Sequence, residues 1–327
     1  MRLTRRGYGL VAVVVVSAVM GLTFGPRSLN AIVGPALVAL GAGLLQVYRA
    51  GRPSLERLLP PPGHPGERRT MRLRVEGSGV VTVEDSLGDG LEPTAVERTV
   101  SGDATVEYEL TLARRGEHRV GPAAASVRDA LGLVVAPFDG RGTRSLLVYP
   151  RVEPVAAGGP LAAFADDGGS SDREAFDRLR EYVPGDSLRD IHWTSSAKRS
   201  DEEFVVVEFA DREESGVTVA AEATDEAAAD RMASAAASVA LHLLDQGVRV
   251  GVVAPGGRCE PGLGDRHRGE LLKLLARSSA GRVATQDRED SELQVFADDD
   301  RTTVTVQGRE YAFEELVDGA VDREVVA

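Results

Sequence analysis

The sequence predicts two N-terminal transmembrane helices, then a small β-sandwich-like domain, then an α/β domain. Three observations carry this reading. Two uncharged apolar stretches open the chain, short alternating runs fill residues 71–152, and helical and strand patterns alternate from residue 172 onward.

The first apolar stretch runs from Tyr8 to Gly25 and the second from Ser28 to Tyr48. At about 1.5 Å per residue, each is long enough to cross a hydrocarbon core of about 30 Å. Only Pro26 and Arg27 separate them, which makes a helical hairpin. A cleaved signal peptide would share the basic start of Arg2, Arg5 and Arg6. No small-x-small cleavage site follows the first stretch, however, and a second span does. Arg49, Arg52, Arg57, Arg68, Arg69, Arg72 and Arg74 follow the second stretch, whereas the outer turn has only Arg27. The positive-inside rule therefore places both termini in the cytoplasm of a multi-pass cell-membrane protein. Ala39 and Gly43 form one small-xxx-small pair, a candidate helix contact, and Pro35 is a candidate kink.

The chain has 327 residues and 43% hydrophobic content, enough for about two domains with a buried core. Cys259 is the single cysteine, which excludes an intramolecular disulfide and suits a reducing compartment. Charge is unevenly divided. The first 74 residues carry eleven Arg and two Glu, and the remainder carries 27 basic and 49 acidic residues. A body this acidic repels phosphate backbones, so nucleic acid is not an expected partner. Lys198 and Lys273 are the only lysines. An acidic surface with Arg in place of Lys suits concentrated salt, which screens the repulsion. A GC-rich genome gives the same Arg bias through its codons, and the size of the acidic excess favours the salt reading.

Residues 51–70, with LLPPPGHPGE, predict a stiff extended linker in which His64 is solvated. Residues 71–152 hold seven short runs divided by Gly, Asp and Pro turns, which predicts the β-sandwich-like domain with His118 as a surface residue. Residues 153–171 are a Gly/Ala-rich linker. Residues 172–327 form the α/β domain. DREAFDRLREYV places Phe176, Leu179 and Val183 at helical spacing, with Pro184-Gly185 as the stop. EEFVVVEF and GVTVAAEA are strands with a charged turn, Asp211 to Ser215, between them. Asp225 to Asp245 is an Ala-rich helix, VRVGVVA a strand buried on both faces, and Arg266 to Arg277 a further helix. LQVFA and TTVTVQG are strands, and a short helix and tail close the chain.

Several chemistries lack their motifs. No G-x-x-x-x-G-K-[ST], H-E-x-x-H, paired cysteines or G-x-S-x-G occurs. GLGDRHRG has glycines at the wrong spacing for a dinucleotide, and the five His are scattered. The densest polar cluster is LREYVPGDSLRDIHWTSSAKR, residues 179–199. Arg180, Glu181, Asp186, Arg189, Asp190, His192 and Lys198 crowd together there, Gly185 permits a sharp turn, and Ile191 and Trp193 supply apolar anchors. Arg forks bind carboxylates in bidentate fashion, so this loop is able to lock itself. The catalytic alternative uses Asp186 or Asp190 with His192, or Ser195 as a nucleophile, in a hydrolase. No oxyanion hole or metal accompanies that alternative, and ionic networks imitate active sites, so the structural or docking reading is preferred.

The run L-R-E-Y-x-P-G-D-x-x-R-x-I-H-W-x-x-S-A-K, Leu179 to Lys198, resembles the signature of the family catalogued as domain of unknown function 58. RRGEHRVGPAAASVRDALGLV, residues 114–134, resembles that family's R-G-x-y-x-x-G-P strand and D-x-x-G-L turn. The resemblance implies that the α/β domain is similar to von Willebrand factor type A. It implies no enzymatic activity, and a protein partner of the MoxR type of AAA+ ATPase in assembly or maturation of other proteins. Arg180, Tyr182, Gly185, Asp186, Arg189, His192, Trp193, Ser196 and Lys198 would then form a structural or docking motif. Type A domains often bind a divalent metal through D-x-S-x-S. The equivalent here is Glu222-Ala223-Thr224-Asp225-Glu226. Glu222 and Thr224 are the candidate Mg²⁺ ligands, but a longer acid and a lost hydroxyl depart from the usual donor set, so no metal or other cofactor is expected. Thr224 and Asp225 serve equally well as a helix cap.

Overall fold

The computed structural model describes residues 1–24, 30–93, 97–140, 142–156, 158–164, 176–181, 205–209 and 216–317. The chain divides into two units, Met1–Tyr149 and Pro150–Ala327.

In the first unit, a two-residue strand β1 (Arg2–Leu3) leads into α1 (Arg5–Phe24) and α2 (Asn30–Ala50). Both helices are long and apolar enough to cross a membrane, and few of their residues are buried. Val13, Val16, Leu22, Leu37 and Val38 are exposed, as a lipid-facing surface requires and a soluble core helix does not. Pro35 lies inside α2 without ending it. Ten short strands follow: β2 (Ser54–Leu58), β3 (Arg68–Glu76), β4 (Val80–Glu84), β5 (Leu91–Pro93), β6 (Glu97–Ser101), β7 (Ala104–Leu112), β8 (Gly116–Val120), β9 (Ala124–Arg128), β10 (Val134–Phe138) and β11 (Arg144–Val148). They form antiparallel sheets in the orders β1-β10-β9-β4-β6, β2-β3-β7-β5 and β11-β8. Period-two patterning explains them. Met71, Leu73 and Val75 of β3 are buried while Arg72 and Arg74 are exposed, and β7 buries Val106, Tyr108, Leu110 and Leu112. These side chains join Val81, Val83, Ala125 and Val127 of the other large sheet in one apolar cluster. Each fully buried Leu, Val or Met in it stabilises the fold by about 1.5–3 kcal/mol.

The linker expected over residues 51–70 is instead part of this unit. SLERL pairs with β3, from Ser54↔Glu76 to Leu58↔Arg72. The Pro/Gly run that follows is a packed turn: Gly63 bridges Val148, and the His64 ring lies 5.5 Å from that of Tyr149. Arg57 supplies a physical reason, because its buried guanidinium pairs with Asp85 and fastens β2 to the rest of the unit. His64 and His118 are both half-buried. His118 Nε2 lies 2.6 Å from the Arg114 carbonyl.

In the second unit, β12 (Phe176–Glu181) pairs antiparallel with β13 (Val205–Phe209). The helix expected from Phe176, Leu179 and Val183 is therefore a strand where the backbone is described. Antiparallel pairing against three consecutive Val, Val205 to Val207, outweighs a helical spacing carried by only three positions. Then come β14 (Val217–Ala223), α3 (Glu226–Asp245), β15 (Val250–Ala254), β16 (Gly257–Gly262), α4 (Gly264–Arg277), α5 (Thr285–Glu289), β17 (Leu293–Ala297), β18 (Thr302–Val306) and β19 (Arg309–Ala312), with a helical turn over 313–317. The sheet order is β16-β15-β14-β17-β18-β19. Pairings of β14 with β15 and with β17 are parallel, and the other three are antiparallel. All five residues of β15 are buried, as its unbroken apolar run predicts. Helix α3 covers the sheet with a face of small side chains, Ala228, Ala229, Ala233, Ala235, Ala236 and Ala240 among them.

Candidate functional site

In the sheet of the second unit, the chain leaves β14 for β15 on one side and later crosses to β17 on the other. The carboxyl ends of β14 and β17 thus form a topological switch point, where open α/β sheets place their ligands. Glu222, Thr224 and Asp225 lie at this end of β14, and Asp298, Asp299 and Asp300 follow β17.

Their side chains are largely occupied. Glu222 is 5% exposed. Its Oε1 accepts from the Val283 amide at 2.9 Å, and its Oε2 lies 3.8 Å from Arg288 Nη1. Thr224 donates its hydroxyl to Asp225 Oδ2 at 3.0 Å, and its amide donates to the Ala297 carbonyl at 3.1 Å. Asp225 is the N-cap of α3, with Oδ1 accepting from Ala227 and Ala228 amides at 2.8 and 3.0 Å. The Ala228 amide, the Asp299 side chain and the Thr224 hydroxyl hold the Asp225 carboxyl down to about 2. Asp299, hydrogen-bonded to Asp225 and facing its charge, is pushed up instead. Asp298 is lowered by the amides of Arg301 and Asp300, and its backbone carbonyl accepts from Arg231. Of the two candidate metal ligands, Glu222 serves the segment around Val283 and Thr224 serves the cap. The capping role expected of Thr224 and Asp225 is the one the geometry displays.

Of the docking motif, Arg180 lies in β12, where its backbone is opposite Val206. Tyr182, Gly185, Asp186, Arg189, Asp190, His192, Trp193, Ser195, Ser196 and Lys198 lie outside the described residues, as do the turn from Asp211 to Ser215 and the tail from residue 318.

The upstream D-x-x-G-L turn has a function the sequence did not announce. Asp129 is 3% exposed. It accepts from the amides of Leu131 at 3.1 Å and Val134 at 2.7 Å, which closes the turn between β9 and β10. The helical hairpin locks onto that turn. Thr4 donates its amide to the Leu133 carbonyl at 2.9 Å and its hydroxyl to the Gly132 carbonyl at 2.6 Å. Gln46 of α2 accepts from the Ala130 amide at 3.1 Å. Two helix glycines make the approach possible: a Cβ on Gly7 would stand 2.3 Å from the Leu133 carbonyl oxygen, and one on Gly43 3.1 Å from Asp129 Oδ2. Gly43 of the small-xxx-small pair therefore faces the β-rich part of the unit. Leu10, Ala39, Leu40 and Val47 of the helices join Leu133, Val134 and Ala136 in a second apolar cluster.

A third grouping joins Cys259 of β16 with His267 and Glu270 of α4. Neither a paired cysteine nor a paired histidine marks it in the sequence. The available signal was H-x-x-E at one-turn spacing, eight residues after a cysteine.

WR4, a C. elegans MSP family member, shares 10% identity over 29% of this chain and 94% of its own, with a TM-score of 0.23. The E. coli chaperone DraB shares 11% over 40% of this chain and 66% of its own, also at 0.23. Scores this low carry no argument about the fold. The "Uncharacterized protein YeaD" of Bacillus subtilis (strain 168) is 24% identical over 223 residues, 60% of this chain and 53% of that protein. This chain spans about half the length of that curated relative. Residues 178–306, from β12 through β18, match the family described as "Protein of unknown function DUF58".

Proposed function

We propose that this chain is a non-enzymatic, membrane-anchored adaptor that docks a protein partner on the cytoplasmic side. The hairpin spans the membrane with both termini inside. The single observation that carries the reading is the lock between hairpin and β-rich part: β1, Thr4, Gly7, Gly43 and Gln46 all engage β10 or the Asp129–Leu133 turn. Such a joint transmits the position of the membrane helices to the β-rich part without a flexible linker. The second unit is read as a reduced type A-like domain, and its strand order around β14 supports this. Resemblance of Leu179–Lys198 to the DUF58 signature points to a MoxR-type AAA+ ATPase as the partner, with Arg180, Asp186, Arg189, His192, Trp193 and Lys198 in the docking motif. The capping and amide-binding roles of Glu222, Thr224 and Asp225 favour this reading over an Mg²⁺-dependent module.

Asp186→Ala and Arg189→Ala test the motif. Each is expected to lower the melting temperature of the full-length protein or to abolish capture of a MoxR-type ATPase in a pull-down. Wild-type melting together with wild-type capture in both variants would refute it.

A further inference from the structure

We propose that Cys259, His267 and Glu270 form a binding site for a borderline-soft divalent transition metal, with Zn²⁺ the best-fitting ion. Strand β16 carries Cys259 opposite Val252 and runs directly into α4. His267 and Glu270 are three residues apart on that helix, so they share a face. One donor atom from each of the three residues lies within 4.8 Å of the other two.

The His267 ring is already oriented toward the cysteine. His267 Nε2 lies 2.6 Å from the Val250 carbonyl, and Nδ1 lies 3.9 Å from Cys259 Sγ. A carbonyl only accepts, so Nε2 carries the proton and Nδ1 presents its lone pair toward the thiol. Ring orientation by a hydrogen bond to a backbone carbonyl is the support that metal-bound histidines use. Gly262 makes room for it: a Cβ there would stand 2.7 Å from Nδ1. Tetrahedral Zn²⁺, with Zn–S about 2.3 Å and Zn–N about 2.0–2.1 Å, places sulfur and nitrogen roughly 3.6 Å apart. The observed separation needs to close by only a few tenths of an ångström. Glu270 is exposed and accepts from Arg266 Nε at 3.1 Å through Oε1, so its carboxylate has room to turn. Sulfur, imidazole and carboxylate together select Zn²⁺ over Mg²⁺ or Ca²⁺, which take oxygen donors. The thiol proton leaves to solvent as the Zn–S bond forms. Three protein ligands leave a fourth position for water or a partner's side chain, and the ion would clamp α4 to the edge strand.

The test titrates chelator-stripped, full-length protein in detergent with Co²⁺ and then Zn²⁺. One equivalent of Co²⁺ is expected to give a thiolate-to-metal charge-transfer band and strong four-coordinate visible bands, both removed by Zn²⁺. Cys259→Ser should abolish the charge-transfer band, and it and His267→Ala should each weaken Zn²⁺ at least ~10-fold. In the unmodified protein, Zn²⁺ should also slow alkylation of Cys259 by iodoacetamide, a readout that needs no variant. Absence of the charge-transfer band, an unchanged band in Cys259→Ser, or alkylation indifferent to Zn²⁺ would overturn the site.

Discussion

A buried ion pair joins the β2–β3 ladder in fastening residues 51–70 to the fold. Arg57 and Asp85 have side chains only 7% and 1% exposed, and Tyr108 donates its hydroxyl to Asp85 Oδ2 at 2.7 Å. Burial, then the hydrogen bond and charge of Asp85, push the Tyr108 hydroxyl far above its ordinary value, so it stays protonated and donating. Asp85→Ala strands a buried guanidinium and is expected to destabilise the first unit by about 3–5 kcal/mol. Tyr108→Phe should cost about 1–3 kcal/mol. Urea unfolding of the full-length protein measures both, and values near zero would mean that β2 is not held by this pair. A second residue-scale prediction concerns the switch point. Asp299 is raised by the neighbouring Asp225, so its ionised form is disfavoured in the folded state and stability falls as pH rises past its folded value. Asp299→Asn keeps a donor for Asp225 and removes the repulsion. It should raise the melting temperature at pH 7, and the gain should shrink as pH falls to where Asp299 takes up its proton. An equal gain at both pH values would count against the pairing. Asp225 runs the other way: its lowered value gives stability that is complete above the usual carboxylate value and lost as pH falls toward about 2.

At the scale of elements, packing explains which parts of the sequence were legible. Strands β3 and β7 could be read because Met71, Leu73, Val75 and Val106, Tyr108, Leu110 alternate cleanly with charge. Helix α3 could be read from Asp225 and its alanines. Its buried face of small side chains lies close to the sheet, so Ala236→Leu should destabilise the second unit by about 1–3 kcal/mol through overpacking, measured by thermal or urea unfolding. Strand β12 was misread because Phe176, Leu179 and Val183 satisfy a helical period by coincidence, and the partner that settles the matter is almost thirty residues away. SLERL was hidden by the Pro/Gly run that follows it, since Pro and Gly in a packed turn look like Pro and Gly in a linker. Cys259, His267 and Glu270 escape any pairwise motif because a strand and a helix each hold part of the group.

For the whole molecule, the two long apolar helices were legible from length and composition alone, whereas their joint to the β-rich part was not. In the sequence Gly7 carries no distinguishing mark and Gly43 pairs only with Ala39, and both lie against the Asp129–Leu133 turn. Substituting Val at Gly7 should force the helix off the Leu133 carbonyl and speed limited proteolysis of the first unit in the full-length protein, and an unchanged cleavage rate would count against the joint. If the chain holds another protein, as proposed, the tagged full-length chain purified from native membranes after mild crosslinking should bring that protein with it. Mass spectrometry of the wild-type eluate is expected to find a MoxR-type AAA+ ATPase, lost with Arg189→Ala. Recovery of the chain without such an ATPase, or equal recovery with the folded variant, would overturn the proposed role.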